Sequence, residues 1–309
     1  MKHRALITGA SGFVGACLAK HLIKRGWHVH LIARHDSNLE CLAELAHLLT
    51  IHRIDGSYES VEKTVKDSNP ELVFHLASLF LAQHQPNDIN RLVESNILFP
   101  TLLLEAMHRC GVHNLINTGT SWQNYENREY CPVNLYSATK DAFERLITFY
   151  VDAHSFKVIT LKLFDTYGPG DNRKKLFYLL RQAARSGESI KMSPGEQKIN
   201  LVYGEDVAEA FLLAGKQLIN QSEIRHDKYG VANKQSISLH DLVSFYSRIT
   251  GFAINVNWSA LPYRPREVMS PCTDYTLVPQ WLPTIPLDEG IARMERDVSI
   301  QGLLSLNNN

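Results

Sequence analysis

The 309-residue chain has no charge of either sign to spare, with 32 lysines and arginines against 32 aspartates and glutamates. A reader of nucleic acid needs a basic excess to neutralise phosphates, so that class is excluded. Cysteine is scarce too. The five (Cys17, Cys41, Cys110, Cys131 and Cys272) are odd in number, scattered and free of Cys-x-x-Cys spacing. This argues against a zinc site or a disulfide framework and for a reduced, cytoplasmic protein. No apolar run approaches the roughly 18 residues that span a bilayer, so no membrane partner is expected. Lys2, His3 and Arg4 precede only a short apolar run broken by Gly9 and Gly12, which is not a secretory signal. The 14 histidines include no His-x-x-x-His beside suitable carboxylates on a convincing helix, so no metal is expected.

What is present is a 44% hydrophobic share, ample for a large core, and a strict alternation of patterns. Residues 4–7, 28–34, 72–77, 114–120 and 157–164 read as buried strands. Between them, residues 13–26, 58–68, 93–111 and 137–154 carry apolar positions at helical spacing. Such alternation predicts an α/β fold with a parallel sheet covered on both faces. After Phe164 the rhythm gives way to a turn-rich loop and short, proline-bounded strands. We therefore expect a dinucleotide-binding domain of residues 1–165 plus about 200–232, and a smaller C-terminal α/β substrate domain of 166–199 and 233–309. The terminal LLSLNNN is expected to fray.

Immediately after the first strand, TGASGFVG places glycines at 9, 12 and 15 and opens onto the first helix. Gly9 permits the tight turn, Gly12 the approach of a pyrophosphate and Gly15 close packing, which predicts a Rossmann-type, doubly wound sheet. Ser11, Phe13 and Val14 complete the cofactor turn. At the end of the second strand a carboxylate would accept ribose hydroxyls, whereas a 2′-phosphate wants a cation. Arg34 stands there, favouring NADP(H) through charge-assisted hydrogen bonds, while Asp36 two residues on keeps NAD as the alternative.

LYSATK (135–140) sets Tyr136 four residues ahead of Lys140, on one helical face. The pair gains meaning from company. In the order TGASGFVG, FHLAS (74–78), LINTGTS (115–121), YSATK and LFDTYGPGD (163–171), the chain resembles the extended short-chain dehydrogenase/reductases that act on nucleotide sugars. LVESNILFPTLLLEA followed by TGTS and LYSATK is most similar to the CDP-paratose and CDP-abequose synthase branch, NADPH-dependent reductases of a nucleotide-linked 4-keto-dideoxyhexose.

The resemblance implies that Tyr136 is the acid/base, Lys140 its supporting cation and ribose ligand, and Thr120 the hydroxyl holding the substrate oxygen. It implies that Asp55 contacts adenine, that Leu76 and Ala77 neighbour the cofactor, and that Ser121, Asn96, Asp165 and Tyr167 lie at the substrate. Asn96 could equally be a buried helix residue satisfying a loop carbonyl. Arg264 matches an arginine that binds the substrate diphosphate, with Arg266 a nearby competitor. The implied substrate is CDP-, GDP- or dTDP-linked, and the implied reaction delivers hydride to a C4 ketone in deoxysugar supply for bacterial surface polysaccharide. A homodimer through the helices of residues 91–110 and 137–154 is also implied.

Three departures matter. Asp165 replaces the usual asparagine, Ile199 and Asn200 replace an arginine–aspartate pair, and Ser121 and Trp122 stand where dehydratases place two acids. A 4,6-dehydratase needs that extra acid and base, which serine and tryptophan do not supply. A 4-epimerase needs only the triad and a retained cofactor, and stays as the alternative. A non-catalytic NADP-binding sensor is the reading from another class; retention of Tyr136, Lys140 and Thr120 speaks against it.

Overall fold

The computed structural model describes residues 2–221 and 223–306. Strand β1 (Arg4–Thr8) runs through the glycine turn into helix α1 (Phe13–Lys24), followed by β2 (His28–Arg34), β3 (Leu49–Ile54), α2 (Tyr58–Ser68) and β4 (Leu72–His75). Next come α3 (Ile89–Val93), a π-helical turn (Glu94–Leu98), α4 (Phe99–Arg109), β5 (Asn114–Thr120), α5 (Leu135–His154) and β6 (Lys157–Leu163). Beyond lie β7 (Asp165–Tyr167), α6 (Leu176–Ser186), β8 (Ile190–Lys191), β9 (Lys198–Ile199), β10 (Leu201–Tyr203) and α7 (Gly204–Asn220). The chain continues through β11 (His226–Val231), β12 (Ile237–Ser238), α8 (Leu239–Thr250), β13 (Val256–Asn257) and α9 (Leu287–Leu306).

Seven strands form one parallel sheet in the order β11-β6-β5-β4-β1-β2-β3. This is the expected Rossmann-type, doubly wound arrangement. The order reverses at β1, between β2 and β4, and the carboxyl ends beside such a reversal open a crevice for ligands. One face of the sheet is covered through Leu18 and Leu22 of α1 and Val207 and Phe211 of α7, packed on Ile7, Phe74 and Ile116. The other is covered by α2, α4 and α5 through Val61, Leu103, Met107, Phe143 and Ile147.

A third apolar cluster joins Tyr167, Phe177, Leu180, Tyr203, Tyr246 and Ile291 outside those two layers. The C-terminal segment also returns to the sheet. Trp281 is buried against the α1/α7 side and donates its indole N–H to the Asp206 carbonyl at 2.8 Å. The Asp206 carboxylate accepts from the Thr284 amide (3.0 Å), the Thr284 hydroxyl (2.7 Å) and the Ile285 amide (3.0 Å).

Some local expectations are revised. The 165–175 segment, read as loop, begins as strand β7 paired with β10 in parallel. The single long helix expected over 93–111 is interrupted by the π turn, in which Asn96 is the buried residue. Of the fraying expected at 303–309, α9 continues to Leu306 and residues 307–309 lie outside the described part.

Candidate active site

The glycine turn at the end of β1 is built without room for side chains. Gly9 has φ +76°, and a Cβ there would lie 2.5 Å from the Ala77 amide nitrogen. A Cβ on Gly15 would meet the Gly9 carbonyl at 2.3 Å, whereas one on Gly12 meets that carbonyl at a tolerable 3.3 Å. The backbone therefore requires Gly9 and Gly15, and asks of a side chain at Gly12 only that the Gly9 carbonyl give by a few tenths of an ångström. Gly12 caps α1 with no side-chain bond, and the first turn holds no acid. Its N–H groups and the positive end of the helix dipole face outward, which fits the pyrophosphate of a dinucleotide. Thr8 Oγ1 fixes the facing wall, accepting from the Leu76 and Ala77 amides at 3.1 Å each.

One cleft brings together Gly9, Gly12, Phe13, Val14, Gly15 and Leu76 with Thr120, Ser121, Tyr136, Lys140 and Asp165. Others of the expected set lie apart from its lining. Ser11 and Asp55 are exposed, and Asp55 Oδ1 accepts from the Ser57 amide (2.9 Å) and hydroxyl (2.7 Å). Those bonds hold the Asp55 carboxyl down at about 2. Arg34 is exposed at the end of β2, its Nε 3.2 Å from the Asp36 carboxylate. Tyr167 is 2% exposed and packs on Phe177 and Tyr203 in the third cluster. Arg264 borders an adjoining cavity that shares Ser121, Trp122 and Asp165 with the cleft. Its Nε and Nη2 donate to Glu267 at 2.9 and 2.6 Å. Arg266 stands apart, over the Tyr125 ring.

Tyr136 is placed by the cap of α5. Asn134 Oδ1 accepts from the Ser137 amide at 3.0 Å, and the Ser137 hydroxyl accepts from the Asn134 amide at 3.1 Å, so the helix starts just ahead of the tyrosine. One turn on, Lys140 is 2% exposed, and its ammonium makes no hydrogen bond among the described residues. Burial pushes Lys140 down to about 8, opposed by the charge of Glu144, and pushes the Tyr136 phenol up to about 12, opposed by Ser78. The buried Lys140 ammonium and the Tyr136 phenol thus line one cleft, the first with its charged form and the second with its ionised form disfavoured by burial.

Thr120 ends β5, and its amide donates to the Gln123 side-chain oxygen at 2.8 Å. Gln123 in turn donates to Asp141 at 2.7 Å and to Glu144 at 2.6 Å, and Lys228 closes on Glu144 at 2.8 Å. Asn96 has its whole amide engaged. Its oxygen accepts from the Leu79 amide (2.8 Å) and the Ser78 hydroxyl (3.1 Å), and its nitrogen donates to the Leu79 carbonyl and to Thr139 Oγ1, both at 3.0 Å.

Sequence reasoning missed Phe80 and Lys175, which also line the cleft. The Phe80 ring meets Tyr136 edge-on at 5.0 Å and leans on Trp122 at 5.6 Å. An aromatic wall beside Tyr136 suits the apolar face of a ring-shaped ligand. Asn200, one of the departures, is committed elsewhere: its side chain accepts from the Asn233 amide at 2.7 Å and donates to the Asn233 carbonyl at 2.8 Å. Among the described residues no group of three or more His, Cys, Asp or Glu could hold a metal, and no helix is long and apolar enough to cross a membrane.

Known proteins are similar to this chain in sequence and in fold. The model of the NAD dependent epimerase/dehydratase family matches residues 5–225. A CDP-abequose synthase of Yersinia pseudotuberculosis is 28% identical over 88% of this chain and 93% of its own. Another, from Salmonella muenchen, is 26% identical over 94% and 96%. The UDP-glucose 4-epimerase of Thermotoga maritima, solved with UDP-glucose, superposes with a TM-score of 0.85 at 22% identity, covering 96% of this chain and 99% of its own.

Proposed function

Because the chain belongs to the NAD dependent epimerase/dehydratase family, we propose that it is an NADPH-dependent reductase acting on the C4 ketone of a nucleotide-linked 4-keto-deoxy sugar. Similarity to two CDP-abequose synthases over most of both chains supports the substrate class. When bound, the reduced nicotinamide supplies the hydride. Tyr136 donates a proton to the carbonyl oxygen, Thr120 Oγ1 bonds that oxygen, and the Lys140 ammonium lowers the cost of the phenolate left behind. Phe80 and Trp122 wall the sugar off from water, and Asn96 acts by clamping the Ser78–Leu79 loop to α5. Ser121, Asp165 and Arg264 border the substrate. Asp55, at the carboxyl end of β3, offers Oδ2 to the adenine.

The observation that carries reduction over epimerisation is Arg34, an exposed guanidinium at the carboxyl end of β2 where a 2′-phosphate would lie. A reductase must draw on the NADPH pool in every turnover; an epimerase returns its hydride and has no such need. The epimerase remains the second reading because Asp36 sits against Arg34 and could serve ribose hydroxyls instead. Mixing the purified protein with CDP-, GDP- and dTDP-linked 4-keto-deoxy sugars and NADPH or NADH decides between them. Stoichiometric NADPH loss with a new C4 alcohol by NMR is expected. Interconversion of C4 epimers without net cofactor loss would sink the reductase.

A further inference from the structure

His75 ends β4, the strand that delivers Leu76 and Ala77 to the wall facing the glycine turn. Its imidazole is fully buried, with the rings of Phe99 and Phe143 at 6.1 and 5.4 Å, and the proton transfer at Tyr136 makes no use of it. Its partner in the β1–β4 register is Thr8, and His75 Nδ1 lies 2.9 Å from Thr8 Oγ1.

That contact has a direction. A hydroxyl carries one proton and two lone pairs. Both lone pairs of Thr8 Oγ1 are taken, by the Ala77 and Leu76 amides at 3.1 Å each, the Leu76 N–H being shared with the Thr8 carbonyl at 3.2 Å. The hydroxyl proton then has one partner among the described residues, His75 Nδ1, so Nδ1 accepts and the ring proton sits on Nε2. No partner among the described residues competes at Nε2, so Thr8 alone selects the tautomer. A proton on Nδ1 would ask Thr8 to accept a third bond and would expel one of the two amides. Charging the ring would do the same, and the surroundings resist it. Burial, reinforced by the Lys140 charge, holds His75 well below the ordinary histidine range. Its other neighbours, Thr8 of β1, Phe99 of α4, Phe143 of α5 and the in-register Asn117 of β5, are neutral.

We propose that His75 is a positioning residue of the cofactor site: as the Nε2–H tautomer, its bare Nδ1 orients the Thr8 hydroxyl and thereby holds the Leu76–Ala77 wall. The wall presses on the glycine turn, since the Ala77 amide nitrogen lies 2.5 Å from where a Cβ on Gly9 would stand. Slack in the wall therefore reaches the seat of the pyrophosphate. This role rests on the dinucleotide reading of the cleft and names a side chain that keeps the cleft in shape without touching the ligand.

The test joins NMR of protein labelled with nitrogen-15 histidine to fluorescence titration of NADPH into wild type, His75→Asn and His75→Leu. Asparagine places Oδ1 where Nδ1 stood; leucine offers no acceptor. The wild-type resonances that His75→Asn removes should report a proton on Nε2 and a bare Nδ1, without titrating between about pH 5 and 8. His75→Leu should bind NADPH about three- to tenfold more weakly, the range of one hydrogen bond, and His75→Asn should stay within about twofold of wild type. An Nδ1–H tautomer, or a charged ring at neutral pH, overturns the proposal whether or not the leucine variant folds. Equal losses in the two variants overturn it by making the ring a packing element only. Wild-type affinity in His75→Leu overturns it as well. Failure of wild type to bind either NADPH or NADH removes the dinucleotide reading itself, and the proposal with it.

Discussion

The side-chain amide of Gln123 donates to the Glu144 carboxylate at 2.6 Å, while its oxygen accepts the Thr120 amide at 2.8 Å. One fully buried residue thus ties the end of β5 to α5, one turn beyond Lys140. Gln123→Ala leaves the Thr120 N–H without its acceptor and strips Glu144 of one of its donors. We expect a loss of about 1–3 kcal/mol in urea unfolding, and a fall in kcat larger than any rise in KM. An unchanged unfolding midpoint would show that the network is ornamental.

Burying the Lys140 ammonium costs the fold stability. Its folded pKa of about 8 lies below the unfolded 10.5, so between those values the unfolded chain binds more protons and stability rises with pH. Below pH 8 the cost is fully present. Lys140→Met should therefore unfold at a higher temperature than wild type at pH 7, by up to about 3 kcal/mol, while losing turnover. The gap should close as pH rises through 8 towards 10.5. A variant less stable than wild type at pH 7 would refute this. Tyr136→Phe should likewise abolish turnover, and should retain NADPH binding by fluorescence titration.

The two glycines at 9 and 12 should separate by readout. Gly9→Ala meets both a left-handed backbone and the Ala77 amide, so the apo-protein should lose about 1–3 kcal/mol or more. Gly12→Ala meets only the Gly9 carbonyl, at 3.3 Å, a contact relieved by a shift of a few tenths of an ångström. Its apo unfolding midpoint should stay within about 0.5 kcal/mol of wild type while dinucleotide affinity falls. Equal destabilisation by both would contradict the geometry of the turn.

Arg34→Ala should weaken NADPH binding by about ten- to hundredfold and leave NADH nearly unchanged, since NADH has no 2′-phosphate for the guanidinium to hold. Competitive titration of the two cofactors reads the ratio directly. Preference for NADH in the wild-type protein would make Asp36 the discriminating residue.

Ile89, Val93, Leu98 and Phe149 are all exposed on α3, the π turn and α5, with Phe149 58% accessible. This surface matches the helices expected to pair two copies of the chain. Leu98→Glu with Phe149→Glu should turn a dimer in sedimentation velocity into a monomer. A wild-type chain that sediments as a monomer at high concentration would dismiss that interface.

What the sequence made legible was periodic or local. The strand and helix alternation, the glycine turn and the four-residue spacing of Tyr136 and Lys140 depend on neighbours along the chain, and each reappears where expected. Residues from distant segments were harder. Tyr167 was placed at the substrate by its motif, yet its ring packs into the third cluster, because a short β7–β10 pairing turns it away from the cleft lining. Arg264 is expected at the diphosphate from its match to the family's arginine, and Glu267 three residues on holds it. Phe80 and Lys175 carry no spacing signal at all; 95 positions separate them, and only the folded loops lay the ammonium over the ring.

The Asp206 clasp bears on how the chain is made. Val207 and Phe211 belong to the sheet's α7 side, but the residues that finish that side, Val278 and Trp281, are encoded some seventy positions later. A nascent chain leaving the ribosome completes all seven strands by Val231 and still lacks the lid that seals this flank. Until Thr284 and Ile285 reach the Asp206 carboxylate, the α7 flank waits with an apolar seat open to solvent. A segment made after all seven strands thus closes one flank of the sheet they form.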